Sequence, residues 1–364
     1  MTHEHPNNSK HDNNIDALRF FGAFLVLFGH AFELCYGKGG GFDPISTVIR
    51  PFTGYHERLP GLGVAMFFVL SGYLVTRSLQ RRRNLLAYLE SRILRIYPAL
   101  WVVLLLSVLV LGPLVSVLEV DDYFSRGGTW RYFTHNAWLY PDVAYKLPGV
   151  FVENPRTGVN GSLWTLPVEV RMYVIVALFG VLGLLRSRWL FNLGALLVVG
   201  WYLLLPDSFV LLHQAHHERL GVYFLLGALF YINADKVTYH WLGVLLTTLL
   251  AVVSWRTPYF NAAFSVALSY LVLFISFHPR LRLPDLAKHG DFSYGMYLYA
   301  FPVTQVVVLL LGPDNPWLVI AVVVPLTLLF AVASWWLVEK PSLRLKGVLS
   351  SRTSAWVSGM RQAD

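Results

Sequence analysis

An arginine, a histidine and a glutamate interrupt the first apolar stretch of the chain, which opens Asn14-Ile15-Asp16-Ala17-Leu18-Arg19 and runs on to His30 and Glu33. Ionisable groups in such a stretch are costly and point to function. On a helix, Arg19 and His30 differ by about 20° around the axis and stand roughly 16 Å apart along it, so they share one face at two depths. Glu33 follows His30 by three positions, within reach to orient the imidazole or stabilise its charged form. An imidazole so held can serve as a general base; a satisfied core histidine is the plainer alternative.

Two further groups of residues could do chemistry. Arg92 and Arg95, in Ser91-Arg92-Ile93-Leu94-Arg95-Ile96-Tyr97-Pro98, project together from a helix and can clamp phosphates through their forked donors, or snorkel to lipid headgroups. Farther on, Asn160-Gly161-Ser162-Leu163-Trp164-Thr165-Leu166-Pro167-Val168-Glu169-Val170-Arg171 brings Glu169 and Arg171 into an apolar setting. There Pro167 frees a carbonyl four residues upstream, which predicts a broken helix facing a cavity. In Phe67-Phe68-Val69-Leu70-Ser71-Gly72-Tyr73, the Ser-Gly pair reads as close helix packing, because no base is adjacent. His213, His216 and His217 with Glu218 match no established zinc spacing, and His3, His5 and His11 read as a solvated tail, so no metal is expected.

The elements that must position these groups follow from composition. The chain has 364 residues, 55% hydrophobic and only 14% charged, where soluble domains carry about 25% charged residues. That excludes a soluble enzyme, a disordered chain and, with Cys35 alone, a disulfide scaffold. The pattern predicts an all-α polytopic membrane bundle of about ten spans, near 16–36, 61–80, 93–115, 161–184, 189–205, 219–233, 240–255, 261–277, 293–312 and 317–338. With both termini in the cytoplasm, 19 of the 29 Lys and Arg fall on the inner side, including Arg81 to Arg83, Arg280 and Lys346. The net charge of +8 is then explained by topology, and no nucleic-acid partner is called for. Residues 1–14 and 341–364 read as cytoplasmic tails around one membrane domain, 15–340. The first stretch has no signal-peptide character. The long outer connectors, 37–60 and 119–160, hold an expected interfacial helix over 130–140, with Trp130, Tyr132, Trp138 and Tyr140 as flat binding surfaces or as an aromatic belt.

Taken in order, these stretches resemble the integral-membrane acyltransferase 3 family along nearly the whole chain. The resemblance rests on Arg19 and His30, ten residues between them; on Phe67 to Leu74, similar to the family's FFVLSGFL; on the R-x-x-R pair Arg92 and Arg95 with Tyr97-Pro98; and on Gly161 to Leu166 followed by Glu169, close to SLWTLSVE. Ser293 to Leu298 and Glu339-Lys340-Pro341 agree more loosely. Departures are Val170 and Arg171, where the family commonly has a second acid and a Gln, and Ala300 in Tyr299-Ala300-Phe301-Pro302, where it often has a histidine. Many members append a soluble hydrolase-like domain, which this chain is expected to do without.

The resemblance implies acyl transfer, usually acetyl, from cytoplasmic acetyl-CoA to a sugar hydroxyl of a surface polysaccharide, lipopolysaccharide or lipid-linked precursor at the outer face of a bacterial inner membrane. It implies Arg19, Arg92 and Arg95 on the donor's phosphates, His30 as general base or acyl acceptor with Glu33 or Glu169 beside it, and Ser162, Trp164, Tyr73 and Trp130 along the acceptor path. Lipids are the remaining partners, and oligomeric state is left open. A secondary transporter of an anionic solute, or an acyltransferase for a lipid, peptide or small molecule, stays as the alternative.

Overall fold

The computed structural model describes residues 14–37, 41–51, 58–82, 84–139, 143–204, 215–286 and 288–348. Among these residues every regular element is helical: α1 (Ile15–Tyr36), α2 (Pro44–Ile49), α3 (Leu59–Arg82), α4 (Leu85–Val115), α5 (Val120–Ser125), α6 (Gly127–Trp138), α7 (Thr165–Val181), α8 (Arg188–Leu204), α9 (Ala215–Ile232), α10 (Trp241–Val253), α11 (Phe260–Phe277), α12 (Ser293–Leu311) and α13 (Pro316–Arg344). Seven are long and apolar enough to cross a membrane: α1, α3, α4, α7 with the 3-10 turn before it, α11, α12 and α13. Helices stand at the other three expected places too. However, α8 and α10 have 17 and 13 residues, short of the roughly 20 that span a hydrocarbon core. The third, α9, opens on the polar run His216-His217-Glu218-Arg219. Leu114, Leu182, Leu310 and Leu337 are exposed, as suits lipid-facing positions.

The chain divides into two compact units. The first comprises residues 1–33, 40–77 and 168–293. Its α3 and α9 cross backbone against backbone: a Cβ on Gly72 would lie 2.0 Å from the Phe224 carbonyl oxygen, and one on Gly227 would lie 2.1 Å from that of Val69. The Ser71-Gly72 pair therefore marks a helix crossing, where only a hydrogen fits. Asn14 pins the start of α1 beyond the end of α11, its Nδ2 donating to the carbonyls of Ile275 (2.6 Å) and Leu281 (2.8 Å) while its Oδ1 accepts from the Leu283 N–H (2.9 Å). In the same unit, Tyr73, Tyr231, Phe277, Tyr239 and Tyr270 form one aromatic cluster.

The second unit comprises residues 34–39, 78–167 and 294–364. Its α4 begins at Leu85 instead of 93 and runs 31 residues, with a wide π turn over Ser107–Leu111. At 1.5 Å per residue that is about 46 Å, some 15 Å more than a hydrocarbon core. Arg92 and Arg95 thus sit two to three turns inside the helix instead of at its tip. The 119–160 connector contains α5 and α6, so a helix does occupy the expected place, over Gly127–Trp138. Tyr132 is fully buried in it, however, and offers no face to a sugar, whereas Trp130 and Trp138 are exposed; Tyr140 lies outside the described residues.

Prolines explain how this connector is tied down. Pro302 in α12 has no N–H for the carbonyl four residues before it, that of Leu298. Asn160 supplies the missing donor, its Nδ2 lying 2.9 Å from that oxygen. One turn later Gln305 donates to the carbonyls of Arg156 (2.8 Å) and Gly158 (2.5 Å) and accepts from Asn154 (2.8 Å). Pro167 behaves differently from expectation. A 3-10 turn occupies Gly161–Trp164, α7 starts at Thr165, and Pro167 falls in its first turn, where no N–H is required. The Leu163 carbonyl is taken by the Thr165 N–H, so the helix is not broken there.

Two expected outcomes follow for the purified protein in detergent. Gly72→Ala should lower stability by about 1–3 kcal/mol through overpacking, while Gly200→Ala, whose new Cβ meets nothing within 4 Å, should be neutral or gain up to about 1 kcal/mol; equal thermal midpoints would refute the backbone crossing. Asn160→Ala should cost about 1–3 kcal/mol by orphaning the Leu298 carbonyl. Adding Pro302→Ala restores a helical donor and should recover much of that loss, so strictly additive effects would count against the Asn160 bond.

Candidate active site

The first unit holds Arg19, His30, Glu33, Tyr73 and Glu169; the second holds Arg92, Arg95, Trp130, Ser162 and Trp164. In α1, unbroken from Ile15 to Tyr36, the i and i+3 positions bring His30 and Glu33 together as their spacing predicts. His30 Nδ1 lies 3.2 Å from Glu33 Oε2, and Glu33 Oε1 lies 3.2 Å from Arg58 Nη1. Both His30 and Glu33 are largely buried, at 16% and 17% side-chain exposure, while Arg58 is 43% exposed. An ionised carboxylate only accepts, so this contact places an imidazole proton on Nδ1.

Arg58 was legible only as one of the outer cations. It stands 25 residues from Glu33, just before α3, and its guanidinium also packs on the Phe42 ring, 4.7 Å from its centre. The short connector helix α2 helps to place it. Asp43 caps α2 by accepting from the Ser46 N–H (2.7 Å), and Ser46 Oγ accepts from the Leu59 N–H (2.8 Å) next to Arg58. Hence a small turn of connector, with Asx capping as its sequence signal, fixes the cation that faces Glu33.

Arg19 points elsewhere. Its Nη1 donates to Asp291 Oδ2 at 2.5 Å, and Asp291 Oδ1 accepts from the Ser293 hydroxyl at the start of α12. Glu169 meets the hydroxyl of Tyr173, one turn on, and lies 3.5 Å from Ser71 Oγ. Of the two acids considered for His30, Glu33 is the one that touches it. Tyr73 is buried in the aromatic cluster.

In the second unit, the guanidinium of Arg92 lies 6.0 Å from the centre of the Tyr88 ring. Arg95 pairs with Glu339, Nη1 to Oε2 at 3.5 Å, and lies over Tyr294. Ser162 is buried; its N–H donates to Asn160 Oδ1 (3.1 Å) and its carbonyl accepts from Tyr297, which also bonds Thr165. Its own hydroxyl has no partner among the described residues. Trp164 is half-buried. Trp130 donates its indole N–H to the Phe124 carbonyl (3.0 Å) and keeps about half its surface open. No cluster of metal-ligating side chains occurs among the described residues; His213 lies outside them.

What the arrangement can do is move a proton. An imidazole with its Nδ1 proton held by an acid, and that acid held by a cation, is suited to take a proton at Nε2. The paired arginines of α4 supply anion-binding donors.

Comparisons with known proteins give the family. A family model for an acyltransferase domain, acyltransferase 3, matches residues 12–336. The chain is 28% identical to an O-acetyl transferase of Shigella phage Sf6, covering 90% of this chain and 95% of that protein. It is 30% identical to nodulation protein 10 of Rhizobium leguminosarum bv. viciae, covering 94% and 96%. It is also 25% identical to O-acetyltransferase OatA of Staphylococcus aureus, over 79% of this chain but 53% of OatA. No solved structure matches. With a family model spanning most of its length and seven helices fit to cross a membrane, the chain belongs to the acyltransferase 3 family of multi-pass membrane acyltransferases.

Proposed function

We propose that this protein is an O-acetyltransferase of a bacterial inner membrane, moving an acetyl group from cytoplasmic acetyl-CoA to a sugar hydroxyl of a surface glycan or its lipid-linked precursor. The observation that carries the reading is the chain of contacts from His30 and Glu33 of the apolar helix α1 to Arg58 of the connector before α3. Two relatives named as O-acetyl transferases support the acyl group and the oxygen acceptor. In this reading the chain crosses ten times, α8, α9 and α10 included, with both termini inside. That orientation puts Arg92 and Arg95 at the cytoplasmic side and His30 toward the outside.

The acyl donor is a substrate, and its phosphates call for cations on the inner side. Arg92 and Arg95 take that role, while Arg19 is a charge already balanced by Asp291. About 16 Å of unbroken helix separates Arg19 from His30, comparable to an extended phosphopantetheine arm. His30 Nε2 accepts the proton of the sugar hydroxyl as that oxygen attacks the thioester carbonyl. The new C–O bond forms, the C–S bond breaks, and the departing thiolate takes the proton back from the imidazolium, whose charge Glu33 stabilises. Glu169 then serves packing between α7 and α3, Tyr73 stays in the aromatic cluster, and Ser162, Trp164 and Trp130 shape the acceptor side.

In proteoliposomes supplied with labelled acetyl-CoA and glycan acceptor, His30→Ala should lower transfer by about 10²-fold or more; full activity would overturn this reading, as would uptake of label without acceptor modification. Incubation without acceptor separates the two forms of catalysis, because label trapped on His30 would identify it as nucleophile instead of base. Arg58 is a positioning residue. Arg58→Ala should lose roughly 1.5 kcal/mol of charge-assisted bonding, about tenfold in kcat, with Arg58→Lys recovering most of it. Equal loss in both variants would show that Arg58 does not act through its charge on Glu33.

A further inference from the structure

One buried acid of the first unit has no partner among the described residues. Glu33 meets Arg58, and Glu169 meets Ser71 and Tyr173. Glu218, in the first turn of α9, is 8% exposed, yet no hydrogen bond, ion pair or neighbouring charge engages its carboxyl there. It borders instead a cavity of about 220 Å³ between α7, α8 and α9. The rest of the lining is apolar, with Met172 and Phe179 from α7, Phe191 and Val198 from α8, and Leu225 and Ala228 from α9.

The cavity has the form of a slot. Lining positions run from Glu218 to Ala228 along α9, about 15 Å, and from Leu190 to Val198 along α8, about 12 Å. A dry apolar cavity of about 150 Å³ already takes a benzene-sized guest, so this one has room for a longer apolar group. Leu190 and Gly194 line it and are also exposed, as are the neighbouring Leu193, Leu196 and Leu197 of α8. The slot therefore opens sideways through the apolar outer face of α8, which in a multi-pass membrane protein meets lipid. Nothing narrows that mouth at Gly194, where a Cβ would meet no atom within 4 Å.

Glu218 stands at one end of the slot, in the polar run His216-His217-Glu218-Arg219 that opens α9. An ionised carboxylate only accepts, and burying it without a donor is costly. A water held there needs several polar partners, and the apolar side chains of the remaining lining supply none. An anionic head would be repelled, whereas a protonated amine brings both the opposite charge and N–H donors. We propose that the cavity between α7, α8 and α9 binds one acyl chain of a phospholipid with an amino headgroup, and that Glu218 receives its ammonium. Nothing in this assignment depends on the acyl donor or on His30.

Native mass spectrometry of the full-length protein, in detergent doped with phosphatidylethanolamine or phosphatidylglycerol of matched chains, provides the test. Wild type should hold one phosphatidylethanolamine about tenfold more tightly than phosphatidylglycerol, as one charge-assisted hydrogen bond gives. Glu218→Gln should bring the two lipids level by weakening phosphatidylethanolamine alone. Without lipid, the same substitution should raise the thermal midpoint, because it removes an uncompensated buried charge; a lower midpoint would reveal a protein partner for Glu218 and overturn the proposal. Gly194→Phe, which plugs the mouth, should lose both lipids at an unlowered midpoint, and retention of either lipid would sink the placement of the chain. Equal retention of the two lipids by wild type, a preference for phosphatidylglycerol, or a preference that Glu218→Gln leaves intact also overturns the assignment.

Discussion

Charges carried into an apolar layer must be met by opposite charges on other segments, and that constraint organises both units of this protein. Glu33 of α1 is met by Arg58 from the connector before α3. Arg19 of α1 is met by Asp291 at the start of α12, and Arg95 of α4 by Glu339 of α13. Inside an apolar layer, an unpaired charge costs several kcal/mol. The pairs therefore act as fasteners, each tying two segments that sequence alone leaves independent. The same rule governs neutral groups. Pro302 strips a donor from α12, and the protein answers with Asn160, so a kink in one helix becomes the anchor of a connector.

These fasteners also explain which parts of the structure could be read from the sequence. Apolar runs announced the helices because burial and lipid contact act residue by residue, and the i, i+3 relation of His30 to Glu33 is local to one helix. Partners are another matter. Asp291 lies 272 residues from Arg19 and Glu339 lies 244 from Arg95. Periodicity fixes which face a residue occupies, but not which segment that face meets. Asp291 and Arg58 fall in connectors, and Glu339 in a terminal motif. The π turns of α4 and α13 and the 3-10 turn before α7 have no compositional signature either, which is why Pro167 suggested a break that the shifted helix start removes.

Lengths tell a similar story. α4 and α13 reach 31 and 29 residues where about 20 suffice for a span, while α8 and α10 fall short. Surplus turns of α4 on the Arg-rich side carry Arg92 and Arg95. The extra turns of α13 carry Glu339 to meet Arg95. Hydropathy windows locate the apolar middle of a helix and are blind to such extensions, because the extensions are amphipathic and stabilised by their neighbours.

If every buried charge of this kind finds a partner, burial alone cannot separate chemistry from architecture. Arg19 with Asp291 is an ion pair of a guanidinium and a carboxylate, and its natural use is to hold helices. The chain through His30 differs in kind. Imidazole is the side chain whose unperturbed titration falls near neutral pH, so its protonation can change during a reaction without leaving an ion unpaired for long. A carboxylate that holds one ring nitrogen fixes the tautomer, and a cation behind the carboxylate keeps that hold when the ring is neutral. A purely structural fastener would gain nothing from a titratable member. The asymmetry of the His30–Glu33–Arg58 chain, an imidazole beside two charged groups, is the feature on which the proposed catalytic role rests.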